Sequence, residues 1–288
     1  MVRSSIVRLL SIALATLALA ACGNDARETG CNGYDELCDR PVDQVVFAMT
    51  HNSHATDERF YNPAARNHMS AVPTQLADGV RALNFDVYYE EDQIWVCHGY
   101  CALGHQDFVE ILGEVREFLD DHPREVVLLT FESYISAADT AASFDAADLT
   151  RLVHTQTPGA AWPTLAEMID ANRRLVVFTN NEPGTPAWYH DENDFLYGTA
   201  WGTAKKEELN CDLTSGPLEH GLFVLNHTLT DPIAGIELAE QINYNPFLID
   251  RVHDCEQQVG RQVNAIEVDY YETGDLIETV AILNGVAH

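Results

Sequence analysis

The chain has 288 residues, 46% of them hydrophobic, enough to bury a large core as one domain or as two small ones. A formal net charge of −29 excludes a general affinity for nucleic acid. It also disfavours an anionic bilayer, which such a chain would meet only through an acyl anchor, divalent cations or a local site unlike the average.

The first residues read as an export signal. Arg3 and Arg8 precede an apolar run from Leu9 to Ala21, too short for a comfortable membrane span. It closes on Leu19-Ala20-Ala21-Cys22, small residues before a cysteine, the pattern that bacterial lipoprotein processing uses. Residues 1–21 are therefore expected to be a signal peptide, Cys22 the lipidated anchor of a cell-envelope protein or an incidental residue of a secreted one, 22–33 a tether, and 34–288 a single folded domain. Cys31, Cys38, Cys97, Cys101, Cys211 and Cys255 make an even six in an exported chain, which favours disulfides. Proximity favours Cys31 with Cys38 and Cys97 with Cys101, leaving Cys211 with Cys255. A zinc site at Cys97-His98-x-x-Cys101 would lack its four ligands.

Beyond the tether, short apolar runs alternate with amphipathic stretches. Strands are expected over 44–49, 80–89, 93–97, 125–132, 174–180, 221–225 and 264–270, several of them apolar on consecutive positions as buried parallel strands are. Over 106–122 the spacing of Phe108, Ile111, Leu112, Val115 and Leu119 predicts a helix with one buried face, which Pro123 closes. Further helices are expected over 147–155, 163–173, 232–241, 246–262 and 275–283, several opening on proline. This alternation points to an α/β fold, a TIM-type (β/α) barrel, whose chemistry sits at the C-terminal ends of the strands.

Two histidines fall at such ends: His51 in Met49-Thr50-His51-Asn52-Ser53-His54, and His98 in Val96-Cys97-His98-Gly99. One imidazole can take a proton from an attacking hydroxyl while the other gives one to a leaving oxygen, a division of labour that cleaves phosphodiesters. Asn52, Asp86 and Glu132 occupy comparable places, and three such oxygens could hold Ca2+ or Mg2+ against a phosphate. Asp269 could orient His51 by accepting its second N–H. The sequence has no Gly-x-Ser-x-Gly elbow, no His-Glu-x-x-His helix and no phosphate-cradling glycine loop, so common rival chemistries lack their local signals.

Thr50-His51-Asn52-Ser53, Phe85-Asp86, Cys97-His98-Gly99 and Leu129-Thr130-Phe131-Glu132 follow in the order and approximate spacing of the X region of phosphatidylinositol-specific phospholipase C, which this chain resembles. It is similar in particular to divergent phospholipase C-like phosphodiesterases, which share the late Val268-Asp269-Tyr270-Tyr271 and Leu283-Asn284-Gly285; between about 137 and 264 only the rhythm matches. The resemblance implies a TIM-type barrel and a phospholipid or related phosphodiester substrate. It makes His51 the base that deprotonates the inositol 2-hydroxyl, giving a cyclic phosphate, and His98 the acid toward the diacylglycerol oxygen. Asn52, Asp86 and Glu132 resemble the calcium ligands of the metal-dependent branch, and Asp269 the carboxylate that steadies the first histidine in the metal-independent one. Two positions depart. Asn84 stands where the first branch has a glutamate, leaving it at most a weaker ligand, and Tyr88 where the second has an arginine. Arg81, five residues before Asp86, is expected to point outward at the start of its strand. The rivals are a glycerophosphodiesterase or sphingomyelinase D-like enzyme, whose Glu-x-Asp element is here Asn84-Phe85-Asp86, and a non-catalytic surface protein using the barrel as a binding scaffold.

Overall fold

The computed structural model describes residues 30–287. The export signal, Cys22 and the tether as far as residue 29 lie outside the described residues, among which no helix is long and apolar enough to cross a membrane.

One sheet dominates. Its strands are β1 (Phe47–Thr50), β2 (Ala82–Glu90), β3 (Gln93–Val96), β4 (Gln106–Asp107), β5 (Val127–Ser133), β6 (Leu175–Thr179), β7 (Tyr189–Asp191), β8 (Leu196–Thr199), β9 (Leu213–Ser215), β10 (Leu222–His227) and β11 (Ala265–Val268). The connecting helices are α1 (Val72–Ala77), α2 (Phe108–Asp121), α3 (Ala137–Ala146), α4 (Leu165–Asp170), α5 (Glu192–Phe195), α6 (Ile236–Ile242), α7 (Phe247–Val259) and α8 (Leu276–Leu283). In the order β7-β6-β5-β2-β1-β11-β10-β8 all neighbours are parallel, the wall of a (β/α) barrel. The wall curls without closing: among the described residues no ladder joins β7 to β8, which only the four-residue α5 separates in sequence. Antiparallel β9 edges β8, and β3 with β4 forms a flap on the long β2.

The period of two along each strand sorts the core into two layers. Leu83, Phe85 and Val87 of β2, with Leu129 and Phe131 of β5, face outward and pack under α2, whose Phe108, Ile111, Leu112, Val115 and Leu119 are buried. The alternate residues face the lumen, whose floor is apolar: Phe47, Met49, Ala82, Leu128, Val176, Phe178, Leu222 and Ala265. Continuing up the lumen face brings Asn84, Asp86, Glu132, Glu267 and Asp269 toward the C-terminal end. Truncating a buried ring such as Phe85 to alanine would cost about 3–5 kcal/mol.

Local signals set several boundaries. Asp107 caps α2 by accepting from Glu110 N at 3.0 Å, a Thr164–Glu167 capping box opens α4, and Gly260, at φ +73°, ends α7. The helix expected over 147–155 is corrected to a single 3-10 turn, Thr150–Leu152. Asp148 there adopts φ +58°, which breaks a helix, and the helix instead precedes it as α3, capped by Ser136. Strands β4, β7, β8 and β9 were not expected, because two to four residues are too few for a period to show. Residues 31–33 belong to the folded body and not to a tether. Cys31 is fully buried, and the Asn32 side chain accepts from Val126 N at 2.7 Å and donates to Val126 O at 3.2 Å. The three disulfides are Cys31–Cys38, Cys97–Cys101 and Cys211–Cys255, as proximity favours.

Candidate active site

The segment Thr50-His51-Asn52-Ser53 is a clamp. The buried Thr50 and Ser53 hydroxyls lie 2.7 Å apart; Thr50 Oγ1 donates to Gln75 Oε1 at 2.8 Å and Ser53 Oγ to the Thr50 carbonyl at 2.9 Å. Asn52 takes the left-handed conformation at φ +48°, which asparagine tolerates. The turn that results throws the half-buried His51 side chain over the lumen.

His51 Nδ1 lies 3.0 Å from Asp269 Oδ1. Burial alone would lower this imidazole's pKa, but the charge and hydrogen bond of Asp269, helped by Glu267 and Asp86, overcome burial and push it up to about 10. Burial likewise opposes ionisation of Asp269, yet the charge of His51 holds that carboxyl below its ordinary value. The pair rests as an ion pair at neutral pH. With its nitrogen toward Asp86, the Asn52 amide donates to both carboxylate oxygens (3.0 and 3.2 Å) and accepts from His51 Nε2 at 3.1 Å, the pattern a doubly protonated imidazole requires.

His98 is held differently. Cys97 N donates to Asp86 O at 3.2 Å, and the Cys97–Cys101 bridge closes a short loop around the histidine. Its Nδ1 lies 3.2 Å from the Ala65 carbonyl, which can only accept, so Nδ1 carries the proton and Nε2 remains for chemistry. Burial lowers the His98 pKa, only partly offset by that hydrogen bond. The two rings stand edge to face, 6.4 Å between centroids, a span that admits a phosphate between them.

Asp86 and Glu132 are register partners on β2 and β5 and face the same lumen. Burial first, then the charge of Glu132, raises Asp86 to about 8, and among the described residues no lysine or arginine pairs with either carboxylate. The Tyr134 hydroxyl donates to Glu132, and its ring stacks on Tyr88 at 4.4 Å. Asn84 is committed elsewhere: its Oδ1 accepts from Asn52 N at 3.0 Å and its Nδ2 donates to Thr130 Oγ1 at 3.2 Å, so it holds the His51 turn and offers a cation little. Arg81 lies at the opposite end, bonded to Glu125 at 2.6 Å and to the Leu76 and Val80 carbonyls. Among the described residues no three His, Cys, Asp or Glu side chains form a ready metal cluster. The hard oxygens of Asp86 and Glu132 still fit one Ca2+ or Mg2+ that takes its other ligands from water and substrate, and rotation of the Asn52 amide, exchanging its donation to Asp86 for its carbonyl, would add a third protein ligand.

One loop between β1 and α1 completes the site in a way sequence reasoning missed. Asn67 Nδ2 donates to Asp269 Oδ1 at 2.7 Å, His68 Nε2 donates to the His51 carbonyl at 2.7 Å, and Ala65 supplies the acceptor for His98. Tyr270 N in turn donates to Asn67 O at 2.7 Å, tying the loop to β11. Nothing in a loop of mixed composition marks Asn67; only its proximity to His51 in the chain could have drawn notice. Glu267, nine-tenths buried below Asp269, was also missed, since it reads as one more residue of a strand.

An eight-stranded parallel α/β wall carrying a two-histidine, carboxylate-supported site at its C-terminal end defines a barrel of the phosphodiesterase type. The chain belongs to the PI-PLC X family, whose model matches residues 37–284. It is 26% identical to "PI-PLC X domain-containing protein 1" of Arthroderma benhamiae, covering 96% of each chain. It is 27% identical to an "Uncharacterized secreted protein" of the same fungus, covering 90% of this chain and 64% of that one. Its fold is similar to that of the phosphatidylinositol-specific phospholipase C of Staphylococcus aureus, with a TM-score of 0.63 over 86% of this chain and 95% of that one; at 14% identity the likeness speaks to fold alone. A secreted relative and three disulfides point to export.

Proposed function

We propose that this protein is a phospholipase C-type phosphodiesterase that cleaves phosphatidylinositol or a related phospholipid by two-histidine acid–base catalysis. The observation that carries the reading is that His51 and His98 face each other across 6.4 Å while only His51 is backed by a carboxylate. Neutral His51 takes the proton of the attacking headgroup hydroxyl; the oxygen so freed bonds to phosphorus, the bond to the glycerol oxygen breaks, and His98 gives that oxygen its proton. Asp269 stabilises the imidazolium formed on His51, which makes His51 a strong base.

That carboxylate leaves His51 charged at rest, while burial and the charge of His51 keep His98 neutral, the reverse of the protonation the reaction needs. An anionic phosphate beside His98 raises that imidazole, and positive charge beside Asp86 lowers His51. A calcium or magnesium ion held by Asp86, Glu132 and Asn52 would supply that charge and neutralise the phosphate. A Cys22 acyl anchor would keep the enzyme at the cell envelope.

The test is phosphorus NMR of the protein mixed with phosphatidylinositol, in calcium and separately in EDTA. A cyclic inositol phosphate resonance in calcium is expected, lost with His51→Ala or His98→Ala; no cyclic product in either sample overturns the substrate and the mechanism together.

A further inference from the structure

Behind the Asp269 carboxylate the chain buries hydrogen-bond acceptors that no donor reaches. Asn67 Oδ1, Asn243 Oδ1 and Asp269 Oδ2 are each shut away from solvent and have no partner among the described residues. Asn67 and Asn243 are fully buried, and Asp269 is 4% exposed. They come from three separate segments, the β1–α1 loop, the turn that closes α6 and the end of β11.

Neither carboxamide can turn to relieve this. Asn67 Nδ2 donates to Asp269 Oδ1 at 2.7 Å, and Asn243 Nδ2 donates to the Asp269 carbonyl at 2.9 Å. Exchanging nitrogen for oxygen in either amide would set two acceptors against each other, so both oxygens stay where they are. An amide's nitrogen and oxygen share one carbon, which keeps each of these oxygens beside Asp269. The backbone holds the amides in turn. Tyr270 N donates to Asn67 O at 2.7 Å and Asp275 N to Asn243 O at 2.9 Å, while Gly274 packs so closely that a side chain there would meet Asn243 Cβ at 2.7 Å. His68, whose Nε2 donates to the His51 carbonyl, adds a fourth buried acceptor in its Nδ1.

A buried group of acceptors without donors is satisfied by a cation, which takes lone pairs from every side; one water offers only two hydrogens. Charge selects a monovalent ion. Two buried carboxylates, Asp269 and Glu267, share this end of the lumen, and the only cationic side chain paired with either among the described residues is His51. The imbalance is one unit, and a divalent ion would demand more oxygens and leave buried charge uncompensated. We infer that Asn67, Asn243 and Asp269 form a buried site for one alkali-metal ion, Na+ or K+, which orders the loop carrying Asn67 and Ala65. This site is distinct from the calcium or magnesium position proposed at Asp86 and Glu132, and it stands on the geometry of these residues whether or not the catalytic reading holds.

The test is thermal unfolding of the full chain in EDTA at one ionic strength, set with NaCl, KCl or tetramethylammonium chloride. All three salts screen the −29 chain equally, and only tetramethylammonium is too large to enter. Tm is expected to be about 4 °C higher in NaCl or KCl. The sodium NMR resonance should broaden on adding protein, and excess KCl, but not tetramethylammonium chloride, should reverse the broadening. Asn243→Ala should abolish both effects; Asn243→Asp, which keeps an oxygen at the site and adds charge, should widen the Tm difference and serves if the alanine variant fails to fold. Equal Tm in all three salts, a folded Asn243→Ala with its parent's salt dependence, or an Asn243→Asp with no wider difference overturns the inference. Both readouts are independent of turnover, so they succeed or fail whatever phosphorus NMR shows with phosphatidylinositol.

Discussion

The surroundings of the two histidines are near opposites. His51 hangs from a clamped turn between core strands and leans on a buried carboxylate contributed from residue 269, while His98 sits in a disulfide-closed loop on a flap and leans on a main-chain carbonyl. One partner carries charge and outweighs burial, while the other offsets burial only in part, so one imidazole is driven up and burial takes the other down. Matched side chains thus acquire different protonation states from what stands behind them, not from what they themselves are.

Removing either histidine breaks the comparison outright. His51→Ala and His98→Ala should each lower kcat by about 1000-fold in a phosphodiesterase assay, with His98→Ala leaving Tm nearly unchanged because its loop is held by a disulfide. Making the partners alike comes next. Asp269→Asn should cost about 100-fold in kcat and bring the His51 pKa down from about 10, read by histidine NMR titration. The stability difference between wild type and Asp269→Asn has a defined pH window. The raised His51 pKa stabilises the fold fully below the ordinary histidine value of about 6.5, an advantage lost as pH rises through about 10. The lowered Asp269 pKa stabilises it above the ordinary aspartate value, an advantage lost as pH falls. Denaturant titrations across pH should therefore show the gap widest in the mildly acidic range and closing at both extremes.

Changing the charge beside the pair sharpens the comparison. The acid limb of the kcat/KM profile should lie alkaline in EDTA and move down by about one unit or more with calcium. Glu132→Gln should shrink that movement and lower activity in a way that more calcium partly restores; identical profiles for wild type and Glu132→Gln at every calcium level reject the cation site. Loosening the second histidine has the smallest effect. Cys101→Ser should cost about 2 kcal/mol of stability, the loop-closure value for so short a ring, and only about tenfold in kcat. Unchanged kcat would show that Ala65 alone suffices to place His98.

Much of this was legible in the sequence, for reasons that can be located. The lumen face of β2 is written in its alternation, so Asn84, Asp86 and Tyr88 could be placed on one side from spacing, and the apolar run before Glu132 marks β5 unambiguously. His51 and Asp269, 218 residues apart, could be paired because each closes a strand of recognisable pattern. What escaped lies where no period operates. Asn67 acts from an irregular loop, the three-residue β7 and β9 are too short to read, and α3 was missed because its Ala/Asp-rich stretch has little amphipathic contrast. The role of Asn84 was also hidden: a missing ligand charge is visible in the letters, whereas its bonds to Asn52 and Thr130 are not.

The position of β11 has a further consequence. It comes last in the chain among the described strands, yet it lies in the interior of the wall between β1 and β10, pairing residue 47 with residue 265. Contacts so distant in sequence form late. A nascent chain that stops short of β11 has both histidines but neither Asp269 nor the strand beside His51, so the site is incomplete until synthesis has passed residue 269. Under the proposed function, a fragment released before that point would carry both histidines without the carboxylate that distinguishes them.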